Sequence, residues 1–312
     1  MAPRVALVCF GQPGAGSFNA AGEAGLARAA AAHPIAARVL WQADPARRAA
    51  TLAAAAATSD LVIAHGGQGE AATAAVAPDF PNVRFAVTQG RIAGPSIACF
   101  EVLQEHSAFL AGALAGWWTQ GGVVGHLSGE PVPPGLRGRA AFAAGLAHAN
   151  PGARLLTGFC GNQHDASLTR AWTAAQCAAG MDVQFAMLDG GRSGATDALR
   201  SAGARAIGNV LDWTDPAVAA PGGDLAAIRP GDPVFVASAV ADNGWAVVAA
   251  VEAFCAGNFS DLRAGIGDQV RLALAGDVPP ALADRLAVLA TDIASGRLAV
   301  PEAYDGPEWR PG

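Results

Sequence analysis

The strongest constraint on this chain is a rhythm that runs once, breaks and starts again. Val5–Val8, Ala36–Trp41, Asp60–Ala64, Val83–Thr88 and Ser96–Phe100 read as short apolar strands. Between them, Phe18–Ala31, Asp44–Thr58 and Gly69–Ala77 read as alanine-rich helices. Ser17 or Asn19 is expected to cap the first, and Asp44 the second, with Pro45 at its first helical position. His106–Trp118 is a further helix, and Gln120-Gly121-Gly122 follows it. The rhythm then resumes with strands at Val123–Leu127, Arg154–Phe159, Asp182–Leu188, Ala206–Val210 and Val234–Val240. Helices at Leu136–Ala149, Ser167–Ala179, Ala195–Ala202 and Trp245–Ala256 accompany them, and Leu282–Ser295 with Leu298–Val300 closes the chain as a helix and a short strand. Strands that are apolar throughout and alternate with helices belong in parallel sheets covered on both faces.

A chain of 312 residues is too long for one ordinary core. The expected fold is therefore α/β, with two doubly wound parallel-sheet lobes and a central cleft. The expected lobes are 1–120 with 241–266 and 121–240 with 267–312. In open α/β sheets ligands bind beyond the carboxyl ends of the strands, so function should sit in the loops after them.

Composition removes several classes of function. Charged residues make up only 15%, the net charge is −6, and there is no lysine at all. Nucleic acid and anionic membrane surfaces need clustered positive charge, which is lacking. The alanine runs Ala29–Ala32 and Ala53–Ala57 are far shorter than a membrane span. Gly11-Gln12-Pro13-Gly14-Ala15-Gly16 has neither the lysine nor the spacing of a phosphate loop. His65-Gly66-Gly67 looks like an oxyanion loop but has no Gly-x-Ser-x-Gly elbow to go with it. The five cysteines, Cys9, Cys99, Cys160, Cys177 and Cys255, show no close pair and no metal-ligand spacing, so buried thiols are expected, with no metal and no cofactor. Arg4–Phe10 reads as the first core strand with no signal-like segment before it. The expectation is a cytoplasmic protein if Met1 is native, or a periplasmic one trimmed of its signal peptide.

Eight segments stand in an order and spacing that resembles a known family. They are Gly16-Ser17-Phe18-Asn19; His106-Ser107-Ala108-Phe109-Leu110-Ala111-Gly112; Gly122-Val123-Val124-Gly125-His126-Leu127-Ser128-Gly129; Phe142-Ala143-Ala144-Gly145 with Asn150-Pro151; Gly180-Met181-Asp182-Val183; Asp189-Gly190-Gly191-Arg192-Ser193-Gly194; Ala206-Ile207-Gly208; and Ile293 to Pro301. Together they resemble the basic membrane protein family, which includes purine-nucleoside receptors of bacterial ABC importers. The resemblance implies a type I periplasmic-binding-protein fold that clamps its ligand between lobes. It also implies a monomer that hands a small molecule to an ABC permease. Phe18 matches the family's ring-stacking aromatic. Other positions depart from the family: Cys9 replaces an acidic residue, Gln89 an aspartate and Ala241 a lysine. The family's Gly-Val-Asp-Ser-Asp-Gln becomes Gly208-Asn209-Val210-Leu211-Asp212-Trp213, so that Asp212 survives and Val210 does not match.

The candidate ligand-binding residues are Phe10, Phe18, Asn19, Gly66, Gln89, Asp189, Arg192, Asp212, Trp213, Asp242 and Trp245. Each has a plainer reading. Phe10 and Phe18 could pack helices, Asn19 and Asp242 could cap them, and Asp189 could simply pair with Arg192. Trp213 and Trp245 offer flat apolar surface, and Gln89 can present a donor and an acceptor together. With charged groups replaced, a planar and less hydroxylated ligand such as a nucleobase is expected, because unpaired buried polar groups on a sugar cost about 1–3 kcal/mol each. Three alternatives stay open. One is an enzyme acting on a nucleoside or base through Asp189, Asp212 or His65. The others are a cytoplasmic ligand-sensing regulator and a homologue whose cleft the tryptophans fill.

Overall fold

The computed structural model describes residues 2–14, 17–218, 228–267 and 269–312, so Gly16 of the Ser-Phe-Asn element lies outside the described residues. In chain order the strands are β1 (Arg4–Cys9), β2 (Ala36–Trp41), β3 (Leu61–His65), β4 (Arg84–Thr88), β5 (Ile97–Val102), β6 (Val123–Ser128), β7 (Arg154–Phe159), β8 (Val183–Met187), β9 (Arg205–Val210), β10 (Phe235–Ala241), β11 (Leu262–Ala264) and β12 (Val270–Leu274). The helices are α1 (Ser17–Ala32), α2 (Arg48–Ala56), α3 (Glu70–Val76), α4 (Gln104–Trp118), α5 (Pro133–Ala149), α6 (Ala166–Ala178), α7 (Arg192–Ala202), α8 (Asn243–Cys255) and α9 (Pro280–Ala294). The chain divides into two compact units, 1–102 with 242–264 and 103–241 with 265–312.

The first unit holds a six-stranded sheet in the order β11-β5-β4-β3-β1-β2, all parallel. Val5 to Cys9 and Leu61 to His65 are buried without interruption, as strands covered on both faces must be. The register lines up Cys9 with His65 and His65 with Thr88, so the carboxyl ends of β1, β3 and β4 form one row. Leu52, Val62, Phe85 and Val87 are part of a core on one side of this sheet. Asp44 caps as expected, accepting from the Ala46 N–H at 2.9 Å. What it caps is a short 3-10 turn, Pro45–Arg47, that leads into α2.

The second unit repeats the arrangement. Its sheet runs β12-β10-β9-β8-β6-β7, parallel except for β12, which is antiparallel to β10. Phe109, Leu114, Phe142, Phe185 and Ile207 lie in its main core.

Three details differ from the sequence expectation. The first crossing falls after Val102, not near Gly121, so α4 belongs with the second unit. The physical reason is close helix packing: a Cβ on Gly112 would overlap the Phe142 carbonyl, and one on Gly145 the Phe109 carbonyl, so only glycines let α4 and α5 approach this closely. At the start of α4, Glu105 pairs with Arg137 of α5 at 3.3 Å, both side chains almost fully buried. Next, Leu298–Val300 is not a strand; Leu298 and Val300 pack as irregular chain against the main core. Finally, the two sheets each gain an edge strand, β11 and β12, that the sequence reading lacked.

Candidate functional site

The row of carboxyl ends in the first unit is built around His65, which is fully buried. Its Nε2 lies 2.9 Å from the Phe18 carbonyl oxygen and its Nδ1 lies 2.9 Å from Thr88 Oγ1. A carbonyl can only accept, so Nε2 carries the proton and Nδ1 accepts from the threonine hydroxyl. Thr88 Oγ1 in turn accepts the Gly66 N–H at 2.9 Å. Burial pushes the imidazole down to about 4, against the opposing pull of the bond to Phe18, so the ring is neutral. Phe18 stacks on it with ring centroids 4.3 Å apart and planes 22° apart. Gly66 has φ 110°, and a Cβ there would press on Phe18 and Gln68. Phe18, Gly66, His65 and Thr88 thus form one continuous assembly.

Residues that flank this assembly in the chain carry buried polar atoms with no hydrogen-bond partner among the described residues. Ser17 Oγ, Asn19 Oδ1 and Gln89 Oε1 are in this condition, and their residues are at most 2% exposed. Neither Ser17 nor Asn19 therefore caps α1 through these oxygens, contrary to the sequence expectation. Gln89 directly follows β4 and has φ 60°. Its Nε2–H donates to Asn243 Oδ1, and its backbone N–H donates to the Phe100 carbonyl at 3.0 Å.

The remaining candidates of this unit fall into three roles. Asp242 caps α8 by accepting the Trp245 N–H at 3.1 Å and pairs with Arg28 at 3.1 Å. Trp245, in the first turn of α8, is half-buried. Phe10 is 3% exposed and belongs to the core with Val8, Leu52 and Val76, with the Arg48 guanidinium 5.4 Å from its ring. Its packing there is the plainer of its two readings.

In the second unit, Asp189, Arg192 and Trp213 come together, but mainly as scaffold. Arg192 is 1% exposed and donates to the carbonyls of Ala186 at 3.2 Å and Leu188 at 2.7 Å, and to Asn209 Oδ1. Burial pushes its guanidinium down to about 10, with Asp189 pulling the other way, so it stays charged at neutral pH. Trp213 is 0% exposed. Its ring stacks on Phe235 at 5.5 Å, the Arg192 guanidinium lies 5.2 Å away, and its Nε1–H donates to the Asn209 carbonyl at 3.1 Å. The free flat surface expected of Trp213 is thus enclosed in a core with Leu199 and Ile228. Asp212 holds Thr214, through the backbone N–H at 3.1 Å and the hydroxyl at 2.6 Å, and pairs with Arg271 at 3.2 Å. Sequence reasoning missed Thr88, Asn209, Asn243 and Ser17 as parts of these assemblies. Ser17 carried a signal in its place in the Ser-Phe-Asn element and Asn209 in its place in the Gly208–Trp213 run, whereas Thr88 and Asn243 carried none.

Two mostly parallel six-stranded sheets, each flanked by helices, define the type I periplasmic-binding-protein fold. The chain belongs to the Bmp family of PnrA-like ABC transporter substrate-binding proteins, whose model matches residues 2–260. It is similar to a solute-binding protein of an ABC transporter system from Aeropyrum pernix K1, at 18% identity over 98% of this chain and 95% of that one, with a TM-score of 0.79. A solute-binding protein from Conexibacter woesei DSM 14684 shares 26% identity over 96% and 99%, with a TM-score of 0.66. A Caulobacter myo-inositol binding protein shares 19% identity over 91% and 97%, with a TM-score of 0.68. No curated protein matches the chain. Among the described residues, no helix is long and apolar enough to cross a membrane, and no group of His, Cys, Asp and Glu could hold a metal ion.

Proposed function

We propose that this substrate-binding protein takes a small, uncharged, planar heterocycle of the nucleobase or nucleoside-like kind and delivers it to an ABC permease outside the cytoplasm. The observation that carries this reading is the set of neutral, unpartnered atoms on the residues that flank Phe18 and Thr88 in the chain: Ser17 Oγ, Asn19 Oδ1 and Gln89 Oε1. Buried polar atoms are almost always hydrogen-bonded, and these exceptions, on residues that directly flank Phe18 and Thr88 in the chain, call for an explanation. A ligand that donates N–H groups to them, with a ring that packs on Phe18, supplies it. The set carries no charge, which suits an uncharged ring.

Release of the ligand unchanged fits the same groups. His65 has both nitrogens engaged and is neutral, and Asp212 is tied to Thr214 and Arg271. Neither is available as a general base. The test is a thermal-shift panel of nucleobases, nucleosides and sugars, followed by chromatography of the incubated hit. A ligand at about 100 times its dissociation constant stabilises the fold by about 2.7 kcal/mol. A nucleobase that shifts the melting temperature and is recovered intact supports the receptor. A consumed ligand replaces it with an enzyme, and a shift by sugars alone replaces the ligand class.

A further inference from the structure

β7 is the outermost strand of the second sheet, beside β6. An edge strand presents unpaired backbone groups, and folds cover such edges with further chain. Here residues 304–309, which form neither helix nor strand, do so. The Trp309 N–H donates to the Thr157 carbonyl of β7 at 2.7 Å. The Trp309 ring stands edge-on to Trp172 of α6, with centroids 6.1 Å apart and planes 74° apart. A Cβ on Gly158 would come within 2.7 Å of the Trp309 carbonyl oxygen, so a glycine in β7 lets the segment lie directly against the strand.

The second anchor is Arg139 of α5, which is 7% exposed. Its guanidinium lies 4.8 Å from the Phe159 ring and 4.9 Å from the Tyr304 ring, and it pairs with Glu308 at 2.6 Å. Its Nε has no hydrogen-bond partner among the described residues. A buried cation is costly unless an anion faces it, so this groove favours a carboxylate. It also takes an indole beside Trp172 and a backbone N–H at Thr157. Glu308-Trp309 supplies all three on adjacent residues. The link to the rest of the unit is short: Val300 packs against the main core, and Pro301, Glu302 and Ala303 are exposed. A segment joined by a short exposed link to a groove of its own chain is the arrangement from which identical chains exchange segments.

We propose that the groove formed by Arg139, Thr157 and Trp172 is a docking site for an acidic–aromatic segment, filled here by residues 304–309 of the same chain, and that its partner in trans is the same segment of a second copy. The second copy is the partner because it carries the matching Glu308-Trp309 pair. Docking within one chain gains from a high effective concentration, so the self-filled groove is favoured in the dilute wild type. Groove and segment both belong to the second unit, and the proposal is independent of the identity of the ligand.

The test uses the full chain. Glu308→Gln/Trp309→Ala spoils the segment and leaves the groove; Arg139→Leu spoils the groove and leaves the segment. Each variant alone stays monomeric in light scattering. An equimolar mixture forms a one-to-one complex, because one intact segment meets one intact groove. A labelled peptide of residues 302–312 binds Glu308→Gln/Trp309→Ala about tenfold or more tightly than it binds the wild type, whose groove is occupied. If both variants fold, by circular dichroism, and neither the mixture nor the peptide shows binding, the segment is ordinary packing and the proposal falls. Equal binding of the peptide to wild type and variant places the peptide elsewhere and also overturns it. Peptide binding with no complex in the mixture removes the second copy as the partner. Should Glu308→Gln/Trp309→Ala not fold, Tyr304→Ala, which removes only the ring beside Arg139, is judged by the same outcomes.

Discussion

An unpaired buried polar atom costs about 1–3 kcal/mol, so Asn19 Oδ1 and Gln89 Oε1 destabilise the first unit until something donates to them. Asn19→Ala breaks no bond of that oxygen in the free protein. It should leave the ligand-free melting temperature unchanged or raise it, because an unpaired oxygen is removed, while weakening ligand binding by about tenfold, or about 1.4 kcal/mol. A variant that melts far lower and binds as before would make Asn19 structural. His65 gives a second residue-scale prediction. Its pKa falls from 6.5 to about 4 on folding because burial disfavours the imidazolium, so between those values the unfolded chain binds more protons than the folded one. Stability is therefore full above pH 6.5 and declines as the pH falls towards 4. His126, buried and pushed down to about 3, acts in the same direction. Melting temperature measured from pH 7.5 to 4 should fall with acid, and His65→Gln should flatten part of that slope. At this scale the sequence was only partly legible. Phe18 and Asn19 stood out through their motif. Trp213 did not separate core from site, because a tryptophan with one hydrogen bond suits both. The left-handed backbone at Val210, with φ 69°, is an angle that no residue type announces.

Elements were far more legible, for a physical reason. Strands buried on both faces read as unbroken apolar runs, and β1, β3 and β10 did so clearly. β11 and β12 were hidden because each carries an arginine, Arg263 or Arg271, and owes its place to pairing with a distant strand. Leu298–Val300 had the apolar character of a strand but no partner to pair with. The membership of α4 was invisible because it depends on two glycines, Gly112 and Gly145, meeting across helices. Gly145→Ala should destabilise the second unit by about 1–3 kcal/mol through overpacking, read by urea denaturation. An unchanged midpoint would show that α4 and α5 can separate freely.

At the scale of the whole molecule, two units of the same strand order present carboxyl edges whose character differs. The first offers neutral polar atoms and an aromatic stack; the second has its charge tied up internally by Arg192 and Asp212. The family membership fixes the task, and the proposed ligand class rests on the edge of the first unit. A calorimetric titration of the full chain with hypoxanthine, inosine and glucose decides whether the ligand is the uncharged heterocycle proposed above. We expect saturable binding of hypoxanthine, weaker binding of inosine, none of glucose, and recovery of the base unchanged. Tight binding of glucose with none of hypoxanthine would contradict it.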